Sequence, residues 1–379
     1  MSLIAPGGAY LPPRPSTSVE IYLYDLWRAM ARGVDVSLYA KETVLRSKQR
    51  QKQKTRLPGA YGEHFLPVVM RDCVLHDRQL SVRMKHIIQI DNRPKYLQKV
   101  KTTLPKAHIV LSLHSLTFLE PQRISFDKAL EALTFADHIV VNSEFIKSEL
   151  HERFAVSTSQ ISVIHPGVDT KLFHPLHSIS EARERERVRR SLHVKEKEMV
   201  ALFVGRVISR KGVDVAIRAL SLARERYGAK VVLWIVGSTP KGADGYIQQL
   251  KRLARGLPVS FLGYKSRNEL AGLFRASDIL LCPSQKAEAF GLVNLEAQAS
   301  GLPVIASGAW GIKESLVPNV TGILVKDYKN PKSFAKQLSK LASEQAVRES
   351  MGQAGRMHAE THCTWRHTAA NYVELYERL

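Results

Sequence analysis

Short apolar segments recur along the chain, and amphipathic segments separate them. Apolar runs of about four to eight residues bounded by turns are typical of strands buried on both faces of a sheet. The clearest runs are 85–90, 107–114, 137–143, 199–205, 230–237, 278–284 and 303–307. Between them, apolar side chains return at helical spacing, most clearly over 123–136, 212–226 and 267–276. This alternation predicts parallel βα units whose helices cover both faces of a sheet.

Two segments of the first half fit that alternation less well. The segment "FLPVVMRDCVL" (65–75) is rich in valine and other apolar residues, which favours a strand. The segment "RSKQRQKQKTR" (46–56) is polar and basic, so we expect an exposed loop or a mobile helix there.

The alternation stops at "HPLHSISEARERERVRRS" (174–191) and starts again near residue 199. This break predicts a linker followed by a charged helix, and 379 residues are enough for two domains. The predicted fold class is α/β, with two Rossmann-like, doubly wound parallel-sheet domains facing across a cleft. We place these domains at 1–175 and 176–360, and expect a terminal helix within 361–379 to pack back on the first. Ligands of such sheets bind outside the carboxyl ends of the strands.

Composition is that of a globular protein, with 44% hydrophobic and 24% charged residues. No apolar run is long enough to span a bilayer, and the amino terminus lacks the features of a secretory signal. Cys73, Cys282 and Cys363 are far apart and form no CxxC pair, which argues against a disulfide framework or a zinc site. We therefore expect a cytoplasmic protein, with a peripheral position at the inner membrane face as the alternative.

The formal charge is +21, and both halves of the chain carry an excess of positive charge. Residues 1–175 contain 24 Lys and Arg against 16 Asp and Glu, so no single tail explains the excess. A field of this sign attracts polyanions, a class that includes nucleic acid, acidic lipid, teichoic-type polymers and nucleotide phosphates.

The stretch "EAFGLVNLE" (288–296) combines two acids with the start of a helix. Glu288 follows a predicted buried strand, and the next helix begins near Gly291. The first-turn amides of Phe290, Gly291 and Leu292 are free donors that favour an anion. The carboxylates of Glu288 and Glu296 suit hydroxyls, because a carboxylate only accepts hydrogen bonds. Such a stretch predicts a nucleotide-sugar site, whereas a capped helix beside a solvated Glu is the structural alternative.

Two cations accompany that stretch. "VGRVISRKG" (204–212) places Arg206 and Lys211 between a strand and a helix, where they can converge on a pair of phosphates. Taken alone, Arg206 and Lys211 are more often solvated loop charges.

These motifs resemble the GT-B glycosyltransferases, and within them the retaining glycosyltransferase family 4, also called glycosyl transferases group 1. The matching elements occur in the family's order: "HPGVDTKLFHP", "GRVISRKG", "VSFLGY", "PSQKAEAFGLVNLEAQASGLPVIAS", "GIKES" and "TWRHTAANYVELYERL". The resemblance covers nearly all of the second predicted domain and, more weakly, the first.

The resemblance implies a set of catalytic residues. Arg206 and Lys211 would neutralise the departing diphosphate, and Glu288 would contact hydroxyls of the sugar. His114, at the end of the strand "IVLSLH", matches a histidine that lines the sugar pocket.

The resemblance also implies a set of donor-binding residues. Glu296 would accept hydrogen bonds from the ribose, and the amides of Gly291 and Leu292 would hold phosphate and sugar oxygens. The backbone near Gly263 and Tyr264 would meet the base. The remaining predicted donor contacts are Gly205 and Phe290.

Catalysis here requires charge stabilisation at a leaving diphosphate, which fixed cations and a helix amino terminus supply. No DxD sequence occurs in the chain, so we expect no metal and no cofactor besides the donor substrate, a nucleotide sugar with UDP as its nucleotide. The family retains anomeric configuration, and we do not assign Glu288 as a nucleophile. The acceptor is unidentified, with an anionic glycan or lipid as candidates and no specific nucleic acid.

The first domain departs from the family pattern. The Gly-Gly pair that precedes the first helix in the family is replaced by Ser16-Thr17, while Gly7-Gly8 lies earlier, and either pair could form the acceptor loop. The family's usual glycine before Gly311 is Trp310, which would crowd or stack on a ligand.

Asn92 and Arg93 directly follow a predicted strand in "IIQIDNRPKYLQK" and resemble the branch that includes spore coat protein SA-type transferases. They are further acceptor candidates. A helix entry with proline in its first turn explains the same residues equally well.

Two other functions fit parts of the sequence. A non-catalytic GT-B protein that binds polyanions or membrane surfaces would use the basic runs, although these lack interleaved aromatic residues. A sugar-nucleotide epimerase could share the architecture. An oxidoreductase is disfavoured, because no GxGxxG follows any predicted strand.

Overall fold

The computed structural model describes residues 1–6, 10, 18–48, 51–80, 85–240 and 242–379. Two compact units make up this part of the chain. One consists of Met1–Gly167 with Trp365–Leu379, and the other of Val168–Thr364. No described helix is long and apolar enough to cross a bilayer.

The strands form one sheet in each unit. They are β1 (Ser2–Ile4), β2 (Val36–Ala40), β3 (Thr43–Lys48), β4 (Gln51–Arg56), β5 (Ile87–Asp91), β6 (His108–Leu113), β7 (His138–Val141), β8 (Ile161–Val163), β9 (Met199–Val204), β10 (Val231–Val236), β11 (Val259–Gly263), β12 (Ile279–Cys282), β13 (Val304–Ser307) and β14 (Gly322–Val325).

The helices cover these sheets. They are α1 (Ser18–Met30), α2 (Phe65–Asp77), α3 (Leu97–Thr103), α4 (Phe126–Thr134), α5 (Glu144–Phe154), α6 (Ile179–Ser191), α7 (Val213–Tyr227), α8 (Asp244–Leu253), α9 (Arg267–Ala276), α10 (Leu292–Ala299), α11 (Pro331–Ser343), α12 (Gln345–His362) and α13 (Trp365–Arg378).

In the first unit the strand order is β4-β3-β2-β1-β5-β6-β7-β8. The strands from β2 through β8 in that order are parallel, whereas β3 and β4 add an antiparallel edge. Helix α13 packs beside α1, and their buried faces share a core with β1 and β2. Tyr22 of α1 and Tyr372 of α13 hydrogen-bond through their hydroxyls at 2.9 Å.

In the second unit all strand pairs are parallel, in the order β11-β10-β9-β12-β13-β14. The chain winds from β9 to one edge and then returns to place β12 on the other side of β9. Side chains alternate between two cores, so that Leu202 lies in one and Phe203 in the other. The predicted α/β fold with two parallel-sheet domains is confirmed.

Two local predictions were wrong. Residues 65–75 lie in helix α2, because Phe65, Val69 and Cys73 recur every four residues and are buried. Helical spacing of the apolar face therefore prevails over the strand preference of valine. Residues 46–56 lie mostly in β3 and β4, where pairing with β2 buries Val44 and Leu45 despite the polar composition.

The predicted charged helix is α6, and it is anchored to the second unit by ion pairs. Arg185 Nη2 lies 2.6 Å from Asp278 Oδ1, and Arg189 Nη1 lies 2.9 Å from Asp278 Oδ2. The amide of Val200 in β9 also donates to Asp278, at 2.7 Å. Burial of this carboxyl tends to raise its pKa, but the two arginines and the amide outweigh it, so the Asp278 pKa is lowered from its ordinary value. A helix without a buried apolar residue is thus held to the sheet by charge.

The Asp278 anchor predicts a pH-dependent stability. Because the folded state depresses the pKa of Asp278, its contribution is present above the ordinary value of 3.8 and disappears as the pH falls through the lower folded pKa. We expect Asp278→Ala to lower the free energy of unfolding at pH 7 by about 3 kcal/mol or more, since it leaves two partly buried guanidinium groups without their carboxylate. Urea unfolding at pH 7 and pH 3 measures the effect.

The matched control is Glu184→Gln, which breaks an exposed pair with Arg187 on the same helix. Exposed pairs contribute about 0–1 kcal/mol, so this control should be nearly neutral. Two results would contradict the anchor. The two substitutions could lower the free energy of unfolding equally, or the free energy of unfolding of Asp278→Ala could change between pH 7 and pH 3 as much as that of the wild type.

Candidate active site

Two loops of the second unit meet where the strand order reverses. The loop after β9 begins at Gly205 and Arg206, and the loop after β12 runs from Pro283 to Gly291. Strands β9 and β12 are neighbours in the sheet, although the chain leaves them in opposite directions along it. In open α/β sheets this reversal opens a crevice at the carboxyl ends of the strands, where ligands bind.

An ion pair joins the two loops. Lys211 Nζ donates to Glu288 Oε2 at 2.5 Å, and Ser284 Oγ donates to the same oxygen at 3.4 Å. Both charged side chains are about four-fifths buried. Burial tends to raise the pKa of Glu288, but attraction and hydrogen bonding from Lys211, followed by Arg210, outweigh it and lower the pKa. Glu288 is therefore a carboxylate at neutral pH that already accepts hydrogen bonds.

Arg206 differs from Lys211 in its surroundings. Arg206 is exposed, and no other described residue makes a hydrogen bond to its guanidinium. Partial burial lowers its pKa, repulsion by Arg210 adds to the effect, and attraction to Glu288 opposes it. An arginine held near a second cation without a bound carboxylate is suited to an anion from solution.

Close backbone contacts fix the loop that carries Glu288. Gly212 has φ +72°, and a Cβ there would lie 1.9 Å from the carbonyl oxygen of Pro283. On the other side, a Cβ on Gly311 would lie 1.8 Å from the carbonyl oxygen of Ala289, and the Gly311 amide donates to Glu288 O at 3.1 Å. The loop is therefore clamped between the segments that follow β9 and β13, and neither glycine can be replaced without moving it.

Helix α10 begins at this clamp. Its N-cap is Gly291, with φ +95° and no side-chain cap. The backbone amide of Asn294 donates to Gly291 O at 2.9 Å, whereas no side-chain oxygen caps the amides of Leu292 and Val293. The buried side-chain amide of Asn294 donates to Ser315 Oγ at 2.8 Å, which ties the helix to the segment after β13. Phe290 is buried below the helix start, and Glu296 lies half-buried one turn further on. The predicted anion donors are thus presented at the same sheet edge as Glu288.

Other predicted donor contacts lie along this edge of the sheet. Gly263 ends β11 with φ +66°, and its carbonyl accepts from the Gly237 amide at 2.8 Å. Tyr264 is half exposed beside it. Gly205 donates its amide to Val236 O at 2.9 Å and stands directly after β9. Strand β10 separates Gly263 and Tyr264 from the two loops that meet at Glu288.

Trp310 occupies the position where the family usually has glycine, and its backbone keeps a glycine-like conformation. Its φ is +53°, in the left-handed region that disfavours large side chains. The indole lies 5.0 Å from the Tyr328 ring, centre to centre. Within the unit Trp310 therefore packs against Tyr328 with the two rings tilted by 58°, and its effect on a ligand stays a prediction.

The first-unit residues form a separate cluster. The side-chain oxygen of Asn92, whose φ is +51°, accepts from the His114 amide at 2.9 Å. The Arg93 guanidinium stacks over the Phe118 ring, 4.0 Å from its centre, and donates to Asn92 O at 2.9 Å. These contacts give Asn92 and Arg93 local structural roles, and leave their acceptor role a prediction. The candidate pairs Ser16-Thr17 and Gly7-Gly8 lie outside the described residues.

Sequence reasoning missed Asp91 and Gln89, both fully buried in β5. The Asp91 carboxylate lies 2.9 Å from His114 Nε2. The available signal was a pair of polar residues inside the otherwise apolar run "IIQID" (87–91). Among the described residues, no group of three or more His, Cys, Asp or Glu side chains is placed to hold a metal ion.

Comparison with known proteins identifies the family. Residues 19–172 match the profile of Glycosyltransferase Family 4, and residues 184–358 match that of Glycosyl transferases group 1. The chain is 27% identical to spore coat protein SA of Bacillus subtilis (strain 168), over 100% of this chain and 99% of that protein. It is 34% identical to D-inositol 3-phosphate glycosyltransferase of Salinispora arenicola (strain CNS-205), over 64% of this chain and 54% of that protein.

The fold has close counterparts among solved structures. HepE of Anabaena in complex with UDP-glucose matches with a TM-score of 0.76 at 20% identity, covering 100% of this chain and 99% of that chain. Sucrose-phosphate synthase of Thermosynechococcus elongatus matches with a TM-score of 0.76 at 23% identity, covering 100% of this chain and 98% of that chain.

The two α/β units, the loops at the strand-order reversal and these matches define a glycosyltransferase of the GT-B class. The chain belongs to the glycosyl transferases group 1, with an amino-terminal domain of glycosyltransferase family 4. The predicted family and the predicted class of enzyme are confirmed, whereas the roles of individual residues stay predictions.

The Lys211–Glu288 pair predicts a measurable pKa change. Removing the cation leaves burial as the main influence on the carboxyl, so we expect Lys211→Ala to move the Glu288 pKa from below to above its ordinary value. Carbon-13 NMR titration of the Glu288 side-chain carboxyl measures this shift.

The control is Lys265→Ala, which removes the partner of the exposed Glu269 elsewhere on the sheet edge. It should leave the Glu288 titration unchanged. A Glu288 pKa that stays below its ordinary value in Lys211→Ala would mean that the ion pair does not set the charge of this site.

Proposed function

We propose that this enzyme transfers a sugar from a nucleoside diphosphate sugar, with UDP as the nucleotide, to an acceptor hydroxyl. The observation that carries the proposal is the arrangement at the strand-order reversal, where a paired carboxylate, an arginine and uncapped helix amides share one sheet edge. HepE is named as a complex with UDP-glucose, and the Salinispora relative is named as a glycosyltransferase of D-inositol 3-phosphate. The first name supports a nucleotide-sugar donor, and the second supports sugar transfer.

Charge development dictates the roles of the second-unit residues. When the bond between the sugar C1 and the diphosphate oxygen breaks, negative charge grows on the phosphate and positive charge on the sugar. Arg206, Lys211 and the first-turn amides of α10 would stabilise the diphosphate without moving, which is the most effective form of electrostatic catalysis. The proton of the acceptor hydroxyl then passes to the departing phosphate oxygen as the new C1–O bond forms.

Retention of configuration follows if the acceptor attacks on the face that the phosphate leaves. Glu288 is poorly suited to a covalent alternative, because Lys211 holds its carboxylate at 2.5 Å and withdraws its charge. The same carboxylate retains lone pairs that can accept from sugar hydroxyls. We therefore assign Glu288 to sugar binding and Glu296 to the ribose.

A strongly basic hairpin supports an anionic acceptor. Residues 46–56 contain six Lys or Arg and no Asp or Glu, and they form most of β3 and β4 at one edge of the first sheet. Lys54 and Arg56 alternate along β4 and are exposed. An anionic glycan or lipid is the acceptor class that this charge favours.

The catalytic proposal predicts a large effect of one cation. With water taking the sugar in place of the unidentified acceptor, Arg206→Ala should lower the rate of UDP release from UDP-glucose by roughly 10²-fold, the size expected when one preorganised electrostatic group is removed. Activity in the wild type should persist in excess EDTA, because side-chain cations take the part of a metal. A coupled UDP-release assay with and without EDTA measures both effects.

Arg218→Ala, an exposed arginine on α7, is the matched control and should be neutral. Near-normal turnover of a folded Arg206→Ala protein would remove Arg206 from the mechanism. Loss of activity in EDTA that Mg²⁺ or Mn²⁺ restores would reveal a metal requirement.

The two acids predict opposite binding phenotypes. Glu296→Gln should weaken UDP by about ten- to a hundredfold, the cost of a lost hydrogen bond to a charged group. Glu288→Gln should leave UDP affinity nearly unchanged and reduce sugar transfer. Calorimetric titration of UDP into each variant measures the difference, and each variant is the control for the other. The reverse order of affinities would exchange the two roles.

A further inference from the structure

A line of buried polar side chains runs from α13 through β5 to His114 in the first unit. The Tyr376 hydroxyl donates to Gln89 Oε1. Gln89 Nε2 donates to both carboxylate oxygens of Asp91, at 3.0 and 2.9 Å. Asp91 Oδ1 in turn lies 2.9 Å from His114 Nε2. Four side chains, from α13, β5 and the residue that follows β6, are therefore linked in series.

The direction of each hydrogen bond in this line follows from chemistry. An ionised carboxylate only accepts, so Gln89 must turn its NH₂ group and His114 its N–H toward Asp91. The Gln89 oxygen then faces Tyr376, which must donate. Burial raises the Tyr376 pKa well above its ordinary range, and nearby Tyr372 and Asp91 add to the effect, so this hydroxyl keeps its proton. The line has only one consistent arrangement of donors and acceptors.

Burying the polar side chains of this line costs free energy of folding, so the line is not incidental packing. Asp91 and Gln89 are fully buried, and Tyr376 is 8% exposed. Polar groups at such depth destabilise a fold unless every hydrogen bond is made, and an apolar β5 would serve packing better. The buried Asp91 carboxylate faces His114, and Gln89 supplies its other hydrogen bonds. This arrangement indicates that Asp91 sets the orientation of His114.

Three contacts hold His114, and they leave one ring nitrogen, Nδ1, for a ligand. Nε2 faces Asp91, the backbone amide donates to Asn92, and the Tyr22 ring lies 4.2 Å away, centre to centre. In the part of the chain that the structure describes, Nδ1 has no hydrogen-bonding partner. With the proton on Nε2, Nδ1 of the neutral ring carries a lone pair that accepts from a hydroxyl.

We propose that Asp91, Gln89 and Tyr376 are positioning residues that fix the Nε2–H tautomer of His114, so that Nδ1 accepts a hydrogen bond from a sugar hydroxyl. The sugar rests on the proposed function, whereas the tautomer depends on the first unit alone. Helix α13 thereby contributes to the orientation of His114, although Tyr376 lies 287 positions from Gln89 in the chain.

The chain offers a matched control on the same helix. The Tyr372 hydroxyl is also buried but bonds to Tyr22 at 2.9 Å and to Ser112 at 3.3 Å, so it reaches His114 only through the ring contact of Tyr22 and not through the line to Asp91. Tyr372→Phe and Tyr376→Phe each delete one buried hydroxyl from α13. Comparison of the two separates a specific effect on His114 from a general loosening of the helix.

The experiment reads the tautomer directly. Nitrogen-15 NMR of the His114 ring in the intact protein should give the Nε2–H form in the wild type and in Tyr372→Phe. In Asp91→Asn the amide NH₂ can donate to Nε2, so the Nδ1–H form should appear. Tyr376→Phe leaves the Asp91 carboxylate in place and should keep the Nε2–H form, but Gln89 Oε1 loses its donor and Asp91 is held less firmly. Thermal unfolding checks that the protein stays folded.

Kinetics provide the second readout. We expect Tyr376→Phe to lower kcat for UDP release from UDP-glucose by about tenfold, the effect of one lost hydrogen bond, with a smaller change in KM. Tyr372→Phe should keep kcat. An unchanged tautomer in Asp91→Asn, or equal losses of kcat in Tyr376→Phe and Tyr372→Phe, would overturn the proposal. A wild type that releases no UDP would instead reject the proposed donor and leave the tautomer result standing.

Discussion

Pairing of β12 with β9 is the interaction on which the second-unit site depends. The register sets Ile279 beside Ala201 and Leu280 beside Leu202, and these four residues are fully buried. Because the paired strands are parallel, the segments that leave them emerge at one edge. Lys211 and Glu288 come within 2.5 Å only as a result of that pairing. The chemistry of the site is therefore built on an apolar contact that touches no ligand.

The clamped loop extends this constraint to function. In the proposed function Glu288 contacts sugar hydroxyls and Lys211 contacts phosphate. Both side chains gain from being rigid before the substrate arrives, because no reorganisation is then required during the reaction. Backbone contacts at Gly212 and Gly311 supply that rigidity from both sides of the loop. The ion pair keeps both charges compensated in a place where burial alone would neutralise them.

The sequence predicted most of the second unit because its signals are local. Helix α9 begins and ends at the predicted residues 267 and 276, and strands β9 and β12 lie within the predicted runs 199–205 and 278–284. The failures have non-local causes. The polar segment 46–56 contributes to strands β3 and β4 only because β2 offers an edge for pairing. In α2 the buried residues recur at helical spacing, although its valines favour a strand. The links from Lys211 to Glu288 and from Asp91 to His114 join distant segments, and no spacing in the chain encodes them.

The first unit is closed by residues that are translated after the whole of the second unit. Its sheet is complete by residue 163, but α13, which covers β1 and β2 beside α1, begins at residue 365. Domains ordinarily fold in the order of their synthesis. Part of the core of the first unit therefore stays uncovered until all of the second unit has been translated. During that interval the nascent chain exposes apolar surface that a chaperone would recognise, and the second unit can reach its folded state before the first.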